Sequence, residues 1–198
     1  MDSKTIKEYD QKAEEIAAFH STFAPELLYQ LAHQYFHKEC PTADIGCGHG
    51  RDTQWLSENG FPAIGYEGSK GMLEEAKKRF PKLRFEESLL PLVSNIDSNS
   101  FENVFCCAVL MHIPRLQLSV AVSNLLRITK PSGIIVLSFR NSVAIEGREG
   151  EKLYESYSLN EIKEAFLAAD AVSLFTSEDQ DTQRTELKWS TLVLRKNA

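Results

Sequence analysis

Residues 44–50 read Asp44-Ile45-Gly46-Cys47-Gly48-His49-Gly50, three glycines at alternate positions behind a short apolar run at 43–45 and ahead of a helical pattern at 52–59. Glycine at such a turn lets the backbone take positive φ and come close to a ligand. Working outward, the strand–turn–helix theme repeats. Apolar runs at 63–66, 83–85, 104–109 and 134–139 read as buried strands, and helical patterns at 52–59, 70–80 and 115–129 fall between most of them. Alternating strands and helices call for parallel strands joined by right-handed crossovers. Upstream, a polar-apolar stretch through about Phe23 predicts one helix, and Pro25 opens a second with Leu28, Leu31 and Tyr35 on one face. Downstream, a helix at 159–169 precedes two strand-like runs, 171–176 and 187–194. The short polar connection 177–186 suits antiparallel pairing of these two. The expected fold is doubly wound α/β: a mostly parallel seven-stranded sheet with an antiparallel C-terminal strand and helices on both faces. One domain is expected over 1–198, with 1–39 as a helical cap over the pocket and 40–198 as the sheet core.

Two strand ends then point to a ligand. About 20 residues after the glycine turn, the second strand closes on Tyr66-Glu67-Gly68. A carboxylate there can accept hydrogen bonds from both hydroxyls of a ribose, and ligands of doubly wound folds sit outside the carboxyl ends of the strands. An adenosine-type cofactor follows. The dinucleotide fingerprint G-x-G-x-x-G holds a pyrophosphate at a helix N-terminus. Here the spacing is one residue tighter, and Asp44 stands two positions before the first glycine. A carboxylate at that turn would repel a pyrophosphate but suits the ammonium and sulfonium end of S-adenosylmethionine, so this cofactor is favoured over NAD.

The turn, Asp44 through Gly50, resembles the D-x-G-x-G-x-G motif of class I S-adenosylmethionine-dependent methyltransferases, and the resemblance runs over nearly the whole chain. Glu67 matches the acidic residue that the family uses for the ribose. Glu86-Glu87-Ser88-Leu89-Leu90-Pro91 resembles the segment after strand three that holds the adenine, with serine and a second glutamate in place of the commoner aspartate. Ser100-Phe101-Glu102-Asn103-Val104 is similar to the S-F-D-x-V entry to strand four, and Ala108 to Pro114 to its V-L-H-H-L continuation. Lys130-Pro131-Ser132-Gly133-Ile134 is close to L-K-P-G-G-x-L, and Tyr157-Ser158-Leu159 with Glu161-Ile162 resembles the Y-S-x-E-E-L start of the last helix. The chain is most similar to small, single-domain members of the type 11/25 kind.

That resemblance implies transfer of a methyl group from S-adenosylmethionine, leaving S-adenosylhomocysteine. It implies cofactor contacts from Asp44, Gly46, Cys47, Gly48, Gly50 and Arg51, from Glu67 and Gly68, from Met72, from Glu87, Ser88 and Leu89, and from Cys107 and Ala108. His112, following strand four, is the candidate general base for an acceptor that must lose a proton. Its competing role is a helix-start histidine bonded to backbone. Acceptor recognition is expected from the N-terminal helix and the loop after strand five, with Tyr9, Phe19, His20, Arg140, Glu146, Arg148 and Tyr157 as candidates. Arg140 and Arg148 are the ones able to hold a carboxylate or phosphate.

Composition bounds the partners. The 198 residues are 42% hydrophobic and 25% charged, an ordinary globular balance, with net charge −6 and no long basic run. A nucleic-acid acceptor is thereby disfavoured, and a small-molecule acceptor expected. The alternatives are a macromolecular acceptor, or a regulatory protein that binds the cofactor without transfer. The N-terminus lacks a secretory layout, and the longest apolar stretch, 104–111, is far short of the roughly 20 residues that span a bilayer. Four cysteines, two of them the neighbours Cys106 and Cys107, form no disulfide framework. A cytoplasmic monomer or homodimer is expected, with no membrane partner. His33, His37 and Cys40 invite a zinc reading, but the histidines face away from the apolar stripe, and no metal is expected. No Asn-Pro-Pro-aromatic run and no Pro-Cys pair follows strand four, which sets the chain apart from DNA base-amino and 5-methylcytosine enzymes.

Overall fold

The computed structural model describes residues 1–141, 147–181 and 187–198; the candidate Glu146 lies outside them. Seven strands form one sheet in the order β3-β2-β1-β4-β5-β9-β8. They are β1 (Thr42–Ile45), β2 (Ala63–Glu67), β3 (Arg84–Glu87), β4 (Phe101–Cys107), β5 (Thr129–Asn141), β8 (Ala171–Gln180) and β9 (Lys188–Lys196). The first five pair in parallel, and β9 runs antiparallel to both β5 and β8. The C-terminal strand is thus inserted one place in from the edge rather than forming it. Strand order reverses between β1 and β4, and a crevice opens at the carboxyl ends of strands that diverge in this way.

Alternation along the strands builds the two layers. Val104 and Cys106 of β4, Ile135 and Leu137 of β5, and Leu192 and Leu194 of β9 pack in one buried cluster with α6 (Leu118–Ile128) and α7 (Leu159–Ala168). Phe105, Ile134, Val136 and Val193 face the other way, against α3 (Glu26–Tyr35) and Leu56 of α4 (Arg51–Glu58). Local chemistry starts the helices where expected. The Ser69 side chain caps α5 (Lys70–Arg79), and Ser158 with Glu161 forms a capping box on α7. Phe101, Phe105, Phe139 and Phe166 are buried.

Two expectations need correction, and one element is new. The segment through Phe23 is two helices, α1 (Ser3–Gln11) and α2 (Ala13–His20), broken at Lys12, whose φ of −116° and ψ of 23° leave the helical region. The helix expected from 115 is a 3₁₀ turn, Arg115–Gln117, until α6 begins at Leu118. A small antiparallel hairpin, β6 (Gly147–Glu149) and β7 (Lys152–Tyr154), was not foreseen. Its two-residue link begins with Gly150 at φ 62°, the left-handed conformation such turns need.

No helix among the described residues is long and apolar enough to cross a membrane, and no cluster of three or more potential metal ligands occurs there. His33 and His37 are exposed, as their position off the apolar stripe implied.

Candidate active site

The glycine turn leaves β1 at the strand-order reversal. Gly46, Gly48 and Gly50 all have positive φ, at 75°, 55° and 87°. The amides of Gly46 and Cys47 donate to the Tyr66 carbonyl at 2.7 and 3.1 Å, so the turn is stitched to the end of β2. A Cβ on Gly50 would lie 2.7 Å from the Phe85 ring, so only glycine fits under β3 there.

Glu67 closes this corner. Its Oε2 accepts from the Gly48 amide at 3.0 Å, and its Oε1 from the Gly68 and Ser69 amides at 2.7 and 2.9 Å. Burial pushes its carboxyl above the ordinary range, against those three hydrogen bonds. Asp44 is buried and accepts from the Thr53 hydroxyl at 2.6 Å. Burial, then the nearby charge of Asp52, raises its pKa well above the usual carboxylate value. Two carboxyl groups pushed upward at the neighbouring ends of β1 and β2 form an environment that a cationic ligand relieves. That donor set fits the sulfonium and ammonium of S-adenosylmethionine and would oppose a pyrophosphate.

The other expected cofactor contacts divide. Met72 is buried beside Ala13, Ile16 and Tyr9, with its methyl 3.4 Å from where a Cβ on Gly48 would lie. The Ser88 amide donates to the Glu67 carbonyl at 3.0 Å and its hydroxyl to Asn95 at 2.6 Å. Leu89 lies over Gly68, while the Glu87 side chain is exposed. Cys107 ends β4 and Ala108 follows with φ 60°, its amide donating to the Ser138 carbonyl at 2.9 Å. The Arg51 guanidinium pairs with Asp52 and donates to the carbonyls of His20 and Phe23 at 3.0 Å each, tying the end of α2 to the start of α4.

The candidates for acceptor chemistry also divide. Tyr9, His112 and Arg140 meet at the carboxyl ends of β4 and β5. His112 is buried in a 3₁₀ turn just after β4, with Nδ1 2.6 Å from the Leu153 carbonyl and Nε2 3.3 Å from the Tyr9 hydroxyl. Burial lowers its pKa to about 4, so the ring is neutral near pH 7. Tyr154 of β7 packs edge-on against His112 at 4.8 Å, and the Arg140 guanidinium lies 3.6 Å over the Tyr154 ring. Phe19, His20 and Phe23 form a separate aromatic group at the end of α2, with Phe19 52% exposed. Arg148 is paired with Asp2 at the surface. Tyr157 is buried, its hydroxyl donating to the Ile113 carbonyl at 2.9 Å, a packing position.

Four contributors were not foreseen. Asp10 accepts from the Ser69 hydroxyl at 2.6 Å and the Gly71 amide at 3.1 Å, docking α1 on the start of α5. Glu149, Lys152 and Tyr154 belong to the unexpected hairpin. The local signal for it is Gly150, a turn residue four positions before the apolar Leu153-Tyr154 pair ends.

Residues 43–137 match the family model described as a methyltransferase domain. The fold is similar to that of 1,6-didemethyltoxoflavin-N1-methyltransferase from Burkholderia thailandensis, solved with 1,6-didemethyltoxoflavin and S-adenosylhomocysteine. Identity is 15%, TM-score 0.81, over 99% of this chain and 88% of that one. A Methanosarcina mazei S-adenosylmethionine-dependent methyltransferase is 16% identical with TM-score 0.74, over 88% of this chain and 98% of that one. A putative sarcosine dimethylglycine methyltransferase from Galdieria sulphuraria is 14% identical with TM-score 0.72, over 87% and 84%. No curated protein matches the chain in sequence. The match spans β1 to most of β5, and the fold of the whole sheet is that of S-adenosylmethionine-dependent methyltransferases. Both the matched domain and the fold are those of transferases that take a methyl group from S-adenosylmethionine.

Proposed function

We propose that this enzyme methylates a small molecule held between α1 and the carboxyl ends of β4 and β5, with His112 as the proton acceptor. The observation that carries the reading is the neutral, buried His112 imidazole, whose Nε2 faces Tyr9 at the end of the sheet where the glycine turn and Glu67 also lie. Bound beside that turn, S-adenosylmethionine supplies an electrophilic methyl on a sulfonium and leaves as the neutral thioether S-adenosylhomocysteine. Asp44 and the turn glycines would hold its methionine end, Glu67 its ribose, and Met72 with Glu87, Ser88 and Leu89 its adenine. Positioning of this kind supplies roughly 7–11 kcal/mol in well-aligned cases. His112 Nε2 would take the proton that an acceptor hydroxyl or amine loses.

Residues 1–39 act in this reading as a cap: α1 and α2 lie across the cofactor corner through Asp10 on α5 and through Arg51 on the end of α2. A small acceptor accords with the net charge of −6. Four free thiols accord with a reducing compartment, the cytoplasm. A monomer or homodimer is sufficient, since every group named comes from one chain. The test is calorimetric titration with S-adenosylmethionine and, separately, with NAD, followed by transfer of labelled methyl to pooled small-molecule acceptors. Micromolar binding of the first alone and a labelled small product are expected. Labelling confined to protein or RNA would replace the acceptor class, and no binding at millimolar ligand would reject the reading.

A further inference from the structure

Arg140 is one residue from the end of β5, and its side chain is only 3% exposed. A guanidinium stays charged at any physiological pH, so burying one requires partners for its five donors. Nη1 reaches Glu149 Oε2 at 3.2 Å, yet that carboxylate is on a side chain 43% exposed to water. Nη2 is fully buried and finds no hydrogen-bond acceptor among the described residues. An orphaned buried donor is costly, more so when charged, and such a group calls for a partner that completes the pairing.

The surroundings say what the ligand offers. The guanidinium is stacked on Tyr154, whose ring abuts His112, whose Nε2 meets the Tyr9 hydroxyl. Lys152 Nζ lies 5.8 Å from the Tyr9 ring centre, a second cation on the same wall. Glu149 beside Arg140 and Glu8 on α1 supply negative charge nearby, so the site favours a monoanion over a doubly charged phosphate.

We infer that the methyl acceptor is a small carboxylic acid whose carboxylate pairs with Arg140 Nη2, leaving its nucleophilic hydroxyl or amine against Tyr9 and His112. This rests on the methyl-transfer reading. It adds a specificity-determining role for Arg140 that the glycine turn and Glu67 do not supply. Charge-assisted pairing with a planar fork orients a carboxylate as well as attracting it, and the stacked Tyr154 fixes the plane of the fork.

The experiment uses protein saturated with S-adenosylhomocysteine and three matched probe pairs: formate and formamide, acetate and acetamide, benzoate and benzamide. Each is titrated by calorimetry and by thermal melting. At least one carboxylate is expected to bind and raise Tm while its amide does not. Arg140→Gln should weaken that binding roughly tenfold or more and leave S-adenosylhomocysteine affinity nearly unchanged. Arg140→Lys, which keeps the cation but loses the fork, serves if the glutamine variant does not fold, and should also weaken the carboxylate. Loaded protein that treats acids and amides alike overturns the inference, as does discrimination that survives in a folded Arg140 variant. Failure to bind S-adenosylhomocysteine at all would instead reject the methyl-transfer reading on which it rests.

Discussion

The Tyr9 hydroxyl lies 3.3 Å from His112 Nε2, a bond between the first helix and the turn after β4 that crosses 103 residues of sequence. The other ring nitrogen settles the direction of that bond. Nδ1 is 2.6 Å from the Leu153 carbonyl, which can only accept, so Nδ1 carries the proton and Nε2 offers a lone pair to Tyr9. A neutral imidazole already in the proton-accepting tautomer is what a general base requires. His112→Gln is therefore expected to lower turnover about 10²–10⁴-fold, the usual contribution of general acid–base catalysis, with S-adenosylmethionine affinity retained. Tyr9→Phe should lower it less, because the phenol positions the ring and the imidazole takes the proton. Single-turnover rates with calorimetric affinities separate the two effects, and normal turnover in His112→Gln would remove the base from the mechanism.

Glu67 gives a cofactor test of opposite character. Its carboxylate accepts from three backbone amides at the mouth of the glycine turn. Glu67→Gln keeps the shape but replaces one acceptor oxygen with a donor, losing one or two charge-assisted bonds. The expected penalty is about 1.5–3 kcal/mol, or roughly 10–100-fold in S-adenosylmethionine affinity. Because burial raises this pKa, wild-type affinity should also improve as pH rises through the range where Glu67 ionises, and the variant should lose that dependence. Titrations at several pH values measure both. Equal affinities would mean that the ribose is held elsewhere.

The strand-and-helix rhythm was legible because each buried strand is a short apolar run bounded by turn residues, and the glycine turn marks where the first one ends. The cofactor corner was legible for the same reason: a carboxylate at a strand end has a definite place once the strand is known. The acceptor wall was legible only as separate residues. Nothing in the spacing of Tyr9, His112 and Arg140 says that they meet, since the meeting depends on how α1 docks. That docking is fixed by the hairpin of β6 and β7, a pair of three-residue strands too short and polar to show a period. Arg51 has partners that its place behind the last glycine does not reveal: its guanidinium is directed back to Asp52 and the end of α2.

The same hairpin suggests how α1 is held. Asp2 caps α1 through the Thr5 amide at 2.9 Å and pairs with Arg148 of β6 through two bonds of 2.8 Å. The Leu153 amide donates to the Thr5 hydroxyl at 2.8 Å, and the Glu151 amide to Glu8. The bond from Arg148 is the first cause of the strongly lowered Asp2 pKa. Arg148→Ala leaves the backbone contacts and the cap in place, so its effect on global stability should be small, as for an exposed pair. Its local effect should be larger. Amides of α1 are expected to exchange faster while those of α6 do not. Unchanged exchange in α1 would show that the side-chain pair contributes nothing to holding the cap.

Acid stability compared between wild type and a His112 variant isolates this group from the others. An ordinary histidine titrates near 6.5, and burial holds this one at about 4. Between those values the unfolded chain binds a proton that the folded chain refuses, so stability falls as pH is lowered from 6.5 towards 4 and is flat above 6.5 on this group's account. His49, also buried and lowered to about 4, acts in the same direction. Asp44 and Glu67, raised in the folded state, act oppositely, because there the folded chain binds the extra proton. The total curve therefore mixes signs, and the difference between wild type and His112→Gln is the decisive quantity. At pH 5.0 wild type should have lost about 2 kcal/mol more than the variant, relative to each protein at pH 7.5. Urea midpoints at the two values measure it, provided the m-values agree. Parallel losses would mean that His112 protonates freely in the folded protein, and the neutral imidazole assigned to the base would have to be abandoned.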